Sequence, residues 1–514
     1  MLKNTVDVVL IYPKTGMDFG PTVAPPYALL TIAAPLHKDG CRIKIIDQRV
    51  DKQWEEHLLE ALRTKPVCVG ISCMTGTQIY FALKAARIVR TATDGNIPIV
   101  FGGPHPTILA EQAIKNEYVD IVCVGEGDIT FPELVKTLQS HGSLAKVDGI
   151  VFKNGSDITM TTARPLLDIE TLLPTAWELI DDVESYIHRD LYLKESHRNL
   201  DIGQTSRGCP FNCGFCSSAS IRQRKWRAMS VEKSLHNIVD AVRRFNLTGI
   251  WIRDDEFYID RERASRICEG MIKENLNIHW YTSGTRIDVF NKATDDQIAI
   301  LKRSGAYVLK YGAESGSNRI LKLINKGITV EDTLRANLRA KKHGIIPAFG
   351  LMIGFPTETP EETNQTIDLS FTIKKDNPSA HLESMAIYTA LPGTPMYQLA
   401  IENGLKPPER FEDWANWNFD EYDLPGKRIP WFDYKRRKKL GNISYMGVLS
   451  YGVFNMIDSI NNAFIRYIVK FLYTPLKFYY RLRLKKKWYT RAPDLALIRF
   501  IRGKIFYKSY LILK

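Results

Sequence analysis

The chain has 514 residues, of which 45% are hydrophobic and 25% are charged, and its formal net charge is +13. This length predicts two to four domains, and the composition is that of folded, soluble domains, which excludes a disordered or fibrous protein. We find neither an apolar leader nor a run of 18 or more uncharged apolar residues, so the sequence predicts a cytoplasmic protein without a membrane-spanning helix.

The positive charge is concentrated at one end of the chain. Residues 435–514 contain 19 Lys and Arg against only Asp458 and Asp494, a local net charge of +17, which leaves −4 for the first 434 residues. The basic character therefore belongs to the tail. Five cysteines are scattered singly among apolar residues, as is typical of buried, reduced thiols: Cys41, Cys68, Cys73, Cys123 and Cys268.

The first 150 residues alternate short apolar runs with helical patterns. The runs lie at 6–12, 42–47, 67–72, 97–101 and 121–124, and helical patterns include 79–90 and 106–115. This alternation predicts a doubly wound, flavodoxin-like parallel sheet that binds its ligand at the carboxyl ends of the strands. Residues there that could contact a cofactor are Ser72, Gly102, Gly103, His105, Gly125 and Glu126.

The spacing of two of these motifs resembles a cobalamin-binding domain. Ser72-x-Met74 is followed, after 27 residues, by Gly102-Gly103, as in that family. The family's Asp-x-His-x-x-Gly motif is missing, and Tyr27 stands where its cobalt-ligating His would be. The resemblance thus implies cobalamin binding without a protein imidazole on the lower face of cobalt. His105 could substitute as a ligand or only shape its loop, and a flavodoxin-like domain without a ligand is the alternative for the whole region.

Residues 151–195 are predicted to form a small ribbon and a linker. Asn154-Gly155 is a hairpin turn signal, and Pro165 and Pro174 follow it. Residues 196–400 then alternate strands and helices again. Strand patterns at 200–204, 249–253, 278–282, 307–311, 347–353 and 382–388 predict six βα units, which are too few to close an eight-stranded barrel.

Three cysteines follow the first of these strands. Cys209, Cys213 and Cys216 are spaced Cys-x3-Cys-x2-Cys, and three thiolates on one loop can bind three irons of a [4Fe–4S] cluster. Zinc would require a fourth ligand, and the nearest spare His, His236, lies in a helical pattern. The motif resembles that of the radical S-adenosylmethionine (SAM) enzymes, a family with a partial barrel in which SAM chelates the fourth iron and is cleaved reductively.

The resemblance also implies SAM-binding residues at the strand ends. Asp255, within Asp254-Asp255-Glu256, would bind the ammonium group, unless this acidic run is only a surface turn. Arg286 would pair with the carboxylate, and Glu314 would accept hydrogen bonds from the ribose.

Five short motifs resemble one branch of the family, that of the anaerobic magnesium-protoporphyrin ester cyclase and hopanoid-modifying enzymes. They are Gly-Gly-Pro-His-Pro, Gly-Glu-Gly, Thr-Ser-Arg-Gly-Cys-Pro, Gly-Ala-Glu-Ser-Gly and Gly-Phe-Pro-Thr-Glu-Thr. The resulting domain prediction is a cobalamin-binding-like domain at 1–150, a linker at 151–195, a radical SAM partial (β/α)6 barrel at 196–400 and a helical basic region at 401–514.

Aromatic and basic residues are interleaved in the tail, 435–514. Basic amphipathic helices of this kind are typical of segments that bind an anionic membrane surface. The alternatives are an RNA-binding surface, because aromatic rings stack on bases, and a helical lid packed on the barrel.

The predicted function is modification of an unactivated carbon of a hydrophobic, lipid-like substrate by cobalamin-dependent methyl transfer. The electron donor would be a low-potential protein of the flavodoxin or ferredoxin type, and the location the inner face of the membrane. The alternatives are cyclisation or rearrangement without methyl transfer, and a non-catalytic iron–sulfur or cobalamin sensor.

Overall fold

The structure, a computed structural model, describes residues 5–496 except 17, 19–22, 190, 191, 194, 418–422, 424, 453–456, 458, 459, 461 and 491, and the side chain of Ser384. Two sheets built mainly of parallel strands carry the fold, one from the first 160 residues and one from residues 199–387. Both confirm the predicted α/β class, and nearly all the predicted strands fall within one to three residues of observed ones.

The first sheet has seven strands among the residues described above. In chain order they are β1 (Val8–Tyr12), β2 (Ile43–Asp47), β3 (Cys68–Ser72), β4 (Ile99–Gly102), β5 (Ile121–Cys123), β6 (Ile150–Asn154) and β7 (Asp157–Met160). The spatial order is β2-β1-β3-β4-β5-β6-β7, and the first five strands are parallel. The chain therefore reverses its direction of winding between β1 and β3, and an open parallel sheet binds its ligands beside such a switch point.

Six α-helices accompany this sheet in the part of the chain that the structure describes. They are α1 (Tyr27–Lys38), α2 (Trp54–Leu62), α3 (Thr77–Ala92), α4 (Pro104–Ile108), α5 (Ala110–Ile114) and α6 (Gly127–Gln139). The helix expected at 106–115 is two short helices, because Leu109, between them, has non-helical angles (φ −122°, ψ 48°). The hairpin at Asn154-Gly155 is confirmed, and it extends the first sheet, because β6 pairs antiparallel with β5 and β7 pairs antiparallel with β6.

The second sheet is the partial barrel. Its strands, all parallel, are β8 (Asn199–Asp201), β11 (Gly249–Ile252), β12 (His279–Thr282), β13 (Ala306–Glu314), β14 (Ile346–Ile353) and β15 (His381–Ile387). They stand in the order β15-β14-β13-β12-β11-β8, which confirms six βα units. A two-stranded antiparallel ribbon, β9 (Ser206–Arg207) with β10 (Arg227–Ala228), brackets the cysteine loop.

Within the described residues, nine helices follow the strands of the barrel. They are α7 (Ser218–Ile221), α8 (Val231–Arg244), α9 (Arg261–Lys273), α10 (Ile287–Asn291), α11 (Asp295–Arg303), α12 (Asn318–Leu323), α13 (Val330–Lys342), α14 (Pro360–Asp376) and α15 (Pro395–Glu402). Several begin with a side-chain cap. Thr294, Thr329 and Thr359 each form a reciprocal capping box with the residue three positions later, which satisfies two amide donors at the start of the helix.

The chain after the barrel has two structural roles. A short helical turn, Phe411–Asn416, returns to the first domain, where Trp414 Nε1 donates to Gln112 Oε1 at 2.6 Å. Helix α16 (Tyr434–Gly447) then packs along β15, so closely that a Cβ at Gly447 would lie 3.2 Å from the Met385 amide. This covers the edge strand of the barrel, which would otherwise leave backbone groups open to pairing. Helix α17 (Ala463–Lys485) lies outside α14 and α16.

Gly103 is predicted to be essential to the ligand edge of the first sheet. Its angles (φ +100°, ψ −174°) are almost restricted to glycine, and a Cβ there would lie 2.8 Å from the Cys73 carbonyl oxygen. We expect Gly103→Ala to lower the free energy of unfolding by about 2 kcal/mol or more, measured by urea denaturation. Gly102→Ala is the matched control, because its Cβ would meet Cys123 Cβ at an ordinary 3.7 Å. Equal losses in the two variants would contradict this explanation.

Candidate functional site

The cysteine loop is anchored at its start by a buried carboxylate. Asp254, just after β11, accepts four hydrogen bonds from Thr205 and Ser206, two from backbone amides (2.6 and 3.1 Å) and two from hydroxyls (2.7 and 2.6 Å). These bonds tie the segment that leads into the loop to the carboxyl end of the neighbouring strand. The first residue of the acidic run is therefore structural, since it is almost fully buried.

The second acidic residue, Asp255, lies against the loop itself. Its Oδ2 accepts from the Gly208 amide at 2.9 Å and from the Ser218 hydroxyl at 3.3 Å, so it holds both sides of the cysteine segment. Gly208 is required there, because its φ is +87° and a Cβ would lie 2.2 Å from the Lys225 carbonyl oxygen. Asp255 is thus placed beside the cysteine loop, and its role in SAM binding stays a prediction.

Arg286 contacts the loop directly. Its Nη1 donates to Cys213 Sγ at 3.2 Å, its Nε to Asp288 Oδ1 at 2.8 Å and its Nη2 to the Lys326 carbonyl, while its guanidinium lies 3.7 Å from the centre of the Phe211 ring. A fixed cation beside a sulfur ligand stabilises the thiolate form that iron requires. The structure places Arg286 at the predicted site, with its nitrogens engaged by the protein.

A second cation near the loop could not be recognised in the sequence. Lys326 Nζ pairs with Glu314 Oε1 at 2.7 Å and lies 5.6 Å from the centre of the Phe215 ring. Burial alone would lower the pKa of Lys326, but the Glu314 carboxylate and the Cys213 sulfur raise it. Glu314 has a φ of +60°, unusual for a residue other than glycine, and such strained positions often occur at functional sites. No motif marks Lys326, which follows α12 in an ordinary loop.

The loop's own chemistry suits metal ligation. Burial raises the pKa of the Cys209 thiol to about 11 and also raises the pKa of Cys216. A bound metal deprotonates such thiols outright. Cys213 is buried, the other two are half-buried, and the Cys216 amide donates to the Cys213 carbonyl at 3.1 Å in a tight turn. With Arg286 and Lys326 beside them, these residues have the chemistry to hold an anionic iron–sulfur cluster, and three thiolates would leave its fourth iron to another ligand.

The carboxyl edge of the first sheet brings together the other predicted residues. Ser72 ends β3, and a Cβ at Gly103 would lie 3.4 Å from its hydroxyl oxygen, so the two loops pack closely. Gly125, after β5, has a φ of +86° and open space on its Cβ side, and its amide donates to Thr107 Oγ1 at 3.0 Å. Gly125 thus leaves open space at this edge, whereas Gly103 is packed against the loop that follows β3.

His105 is fully buried at this edge. Its Nδ1 shares a hydrogen bond with Thr75 Oγ1 at 2.8 Å, and its ring packs on Phe411 (5.5 Å between centroids) and Trp414 (5.3 Å). Its Nε2 is buried without a hydrogen-bond partner, and burial lowers the pKa of His105 to about 4. The aromatic rings come from the segment after the barrel, a long-range contact that the sequence could not reveal.

Tyr27, the residue at the expected His position, lies between the two domains. Its hydroxyl donates to the Asp201 carbonyl oxygen of β8, and its ring packs edge-on against Trp177 at 5.6 Å. Burial, and then the Asp201 charge, raise the pKa of Tyr27 well above its usual value, so the phenol stays neutral. A neutral phenol is a poor cobalt ligand, and the absence of a protein imidazole below cobalt stays a prediction.

Five charged residues join the two strand-end edges, and we call them the interdomain clamp: Glu126, Asp128, Arg207, Arg222 and Arg227. Arg207 Nη1 and Nη2 donate to Asp128 Oδ2 and Oδ1 at 2.8 and 3.1 Å, and both side chains are more than nine-tenths buried. Glu126 Oε1 accepts from Arg222 and from Arg227 Nη2 at 2.7 Å. Glu126 was predicted as a cofactor ligand, and the structure places its carboxylate in this clamp.

Comparisons with known proteins agree with this geometry. Residues 204–370 match the radical SAM superfamily, and residues 20–135 match the B12 binding domain. An uncharacterised methyltransferase of Pyrococcus horikoshii, PH0819, is 32% identical over 409 residues, which cover 78% of this chain and 84% of that protein. The anaerobic magnesium-protoporphyrin IX monomethyl ester cyclase of Cereibacter sphaeroides is 26% identical over 404 residues, which cover 77% and 62%.

The fold is also shared with a solved structure. The cobalamin-dependent S-adenosylmethionine radical enzyme OxsB, solved with aqua-cobalamin and S-adenosylmethionine, superposes with a TM-score of 0.72 at 21% identity and covers 97% of this chain and 75% of that one. The predicted fold class, with a cobalamin-binding type of first domain and a radical SAM partial barrel, and the resemblance to this group of enzymes are therefore confirmed.

His105 is predicted to make the protein less stable in mild acid. Because its pKa is about 4 when folded and near 6.5 when unfolded, the unfolded chain binds the proton first as pH falls. The contribution of neutral His105 to stability is then lost between pH 6.5 and 4. We expect the stability difference between wild type and His105→Gln to shrink by about 2 kcal/mol from pH 7 to pH 5. His236→Gln, on the exposed face of α8, is the control, and a pH-independent difference would contradict this assignment.

Proposed function

The chain belongs to the radical SAM superfamily, in the branch that carries a B12 binding domain, and on this basis we propose that it is a C-methyltransferase for a lipid-like substrate. Its cofactors are a [4Fe–4S] cluster, SAM and cobalamin. The observation that carries the methyl-transfer proposal is the clamp, because it holds the residue two positions before Cys209 against the segment that follows β5. This contact supports the proposal because it brings the carboxyl end of β5 next to the start of the cysteine loop.

The cofactors, when bound, supply the reductive cleavage of SAM and the methyl group. The chain's own residues bind and orient them. We propose that Cys209, Cys213 and Cys216 ligate the cluster, while Arg286 and Lys326 offset the negative charge of the thiolates. Asp255 and Glu314 would then contact SAM from the ends of β11 and β13.

Cyclisation or rearrangement without methyl transfer is the second candidate. The similarity to the magnesium-protoporphyrin ester cyclase favours it, because the name of that relative describes a ring closure. The two candidates differ in the product formed from SAM. Methyl transfer releases S-adenosylhomocysteine, whereas radical chemistry alone releases only 5′-deoxyadenosine.

The cysteine loop gives the first test of this proposal. Anaerobically reconstituted protein, with titanium citrate, hydroxocobalamin and SAM, should release both S-adenosylhomocysteine and 5′-deoxyadenosine, quantified by liquid chromatography. Cys209→Ala, Cys213→Ala and Cys216→Ala should each lose the cluster's iron and reduce both products to background, because each removes a ligand. Cys268→Ala, a buried cysteine of α9 far along the chain, should keep both.

Formation of 5′-deoxyadenosine alone would favour cyclisation or rearrangement, and intact cleavage in the loop variants would contradict the cluster assignment.

The lipid-like substrate is inferred from helix α17. Its outward face is almost entirely apolar, and among its exposed side chains Phe464, Phe471 and Leu472 are 73%, 70% and 69% exposed. Further exposed apolar residues complete the face: Ile465, Tyr467, Ile468, Leu476, Phe478, Tyr479 and Leu482. Monomeric proteins rarely expose a continuous apolar surface of this kind unless it binds a partner.

The charges beside this face favour an anionic lipid surface. Arg466, Lys470, Lys477 and Arg481 recur at helical spacing, so they form one basic stripe alongside the apolar face, and all four are half-buried. An in-plane amphipathic helix buries its apolar face in the headgroup region while its basic residues meet anionic lipids. None of the described helices is long and apolar enough to cross a membrane. The remaining aromatic and basic residues of the predicted tail, from 497 on, lie outside the described residues.

We therefore propose that α17 holds the enzyme on the inner, anionic face of a membrane, from which a hydrophobic substrate would enter. The electron donor would be a small low-potential protein of the flavodoxin or ferredoxin type. Removing all of 435–514 would be a poor test, because it would also remove α16 and expose β15. Point substitutions on the outward face leave α16 in place.

The double variant Phe471→Ser, Leu472→Ser should bind anionic vesicles at least about tenfold more weakly than wild type, since it removes two large side chains from the buried apolar area. Binding is measured by sedimentation with vesicles rich in phosphatidylglycerol, and wild-type binding should weaken as salt rises. The matched control is Ile158→Ser, Met160→Ser, which removes two exposed apolar side chains from β7. Equal binding to neutral phosphatidylcholine vesicles, or preferential binding to RNA, would contradict the proposal.

A further inference from the structure

The ion pairs of the interdomain clamp lie at both ends of the cysteine loop. Arg207 lies two residues before Cys209, and Arg222 and Arg227 lie beyond Cys216, so the whole segment from 208 to 221 is held between them. All three arginines pair with carboxylates of one short segment of the first domain, Glu126 to Asp128. The loop is therefore fixed relative to the first domain, as well as to the barrel strands that carry it.

The geometry of the pair at the start of the loop restricts orientation as well as distance. The Arg207 guanidinium forms two parallel bonds to Asp128, and such a bidentate contact fixes the plane and direction of both groups. Both side chains are more than nine-tenths buried, so salt screens this contact little. Asp128 is the second residue of α6, which begins directly after the Gly125 turn at the predicted ligand edge.

The other pairs of the clamp act at the far end of the loop. Glu126 binds Arg222, the residue that ends α7, and Arg227, which lies in β10. Strand β10 pairs in turn with β9, which contains Arg207. A displacement of the first domain would therefore shift both ends of the cysteine loop together.

We propose that Asp128 and Arg207 are positioning residues that align the cobalamin edge of the first domain with the cysteine loop. This inference rests on the proposed function, because only a reaction that uses both cofactors depends on their alignment. Reductive cleavage of SAM requires the barrel alone. Methyl transfer through cobalamin also requires the first domain to be held in the correct position relative to the barrel. A misplacement of the reacting groups by about 1 Å can slow such a step by about a hundredfold.

The test compares Asp128→Asn with Glu133→Gln. Glu133 lies on the same helix, but its partner is Arg164 of the first domain, so the control removes one carboxylate charge from α6 and leaves the clamp intact. Hydrogen exchange of the cluster-reconstituted protein without SAM is the first measurement. Asp128→Asn should exchange faster both at 200–216 and at 124–131, whereas Glu133→Gln should match wild type at both.

The second measurement is the ratio of S-adenosylhomocysteine to 5′-deoxyadenosine in the fully loaded enzyme with titanium citrate. Asp128→Asn should retain wild-type iron and lower this ratio by about tenfold. Arg207→Lys, which keeps the charge but loses the two parallel bonds, should lower it less, and it serves as the test if Asp128→Asn does not fold.

Two results would overturn the positioning role. One is unchanged exchange and an unchanged ratio in Asp128→Asn. The other is a loss of iron with a proportional fall in both products, since that would make the pair a support for cluster assembly only. If wild type forms no S-adenosylhomocysteine, the proposed methyl transfer fails, while the exchange measurement still decides whether the clamp aligns the domains.

Discussion

The pairing of five charges determines how the two halves of this molecule meet, and the Arg207–Asp128 pair among them is more than nine-tenths buried. Glu126 and Asp128 could not remain charged at this interface without the three arginines, because removing an unpaired charge from water costs free energy. The same cost would apply to the arginines without the two carboxylates. Removal of one partner from such a group costs about 3–5 kcal/mol, because the other charge stays buried and unpaired. An arrangement that moved one sheet edge away from the other would break several of these contacts at once, so the interface has one strongly favoured geometry.

The charges in the cysteine loop also require partners of opposite charge. Burial opposes ionisation of the Cys209 and Cys216 thiols, so the loop needs positive charge nearby before it can hold thiolates. Arg286 and Lys326 supply it from the loops that follow β12 and α12. Each cation has its own carboxylate, Asp288 or Glu314, so the loop is surrounded by ion pairs that fix the positions of the charges. Charges of this kind need no rearrangement when a charged cofactor binds.

Much of this architecture could be predicted from the sequence, because it depends on local patterns. Apolar runs broken by glycine or proline predicted the parallel strands, and the cysteine spacing predicted the loop's chemistry. Contacts between distant parts of the chain could not be predicted in this way. Lys326 has no motif, the partners of Glu126 lie about a hundred residues away, and the rings that bury His105 come from about three hundred residues further along. A local sequence pattern identifies candidate residues, while the fold determines which of their side chains come into contact.

The basic tail shows how one stretch of sequence can divide into two physical roles. Helix α16 is rich in Lys and Arg, yet it packs on β15, and Asn442 and Ile443 are fully buried. Its charges are compatible with a structural role because long basic side chains can cover apolar surface and still reach water. Helix α17 shares the basic composition but faces outward with aromatic and aliphatic side chains. Because α16 already covers the edge of the barrel, the outward apolar face of α17 is not needed to bury the core. Part of the positive charge is used within the fold, since Arg436 of α16 donates to the Glu358 carbonyl at 2.8 Å just beyond the end of β14. Helix α17 instead carries its basic residues outside α14 and α16.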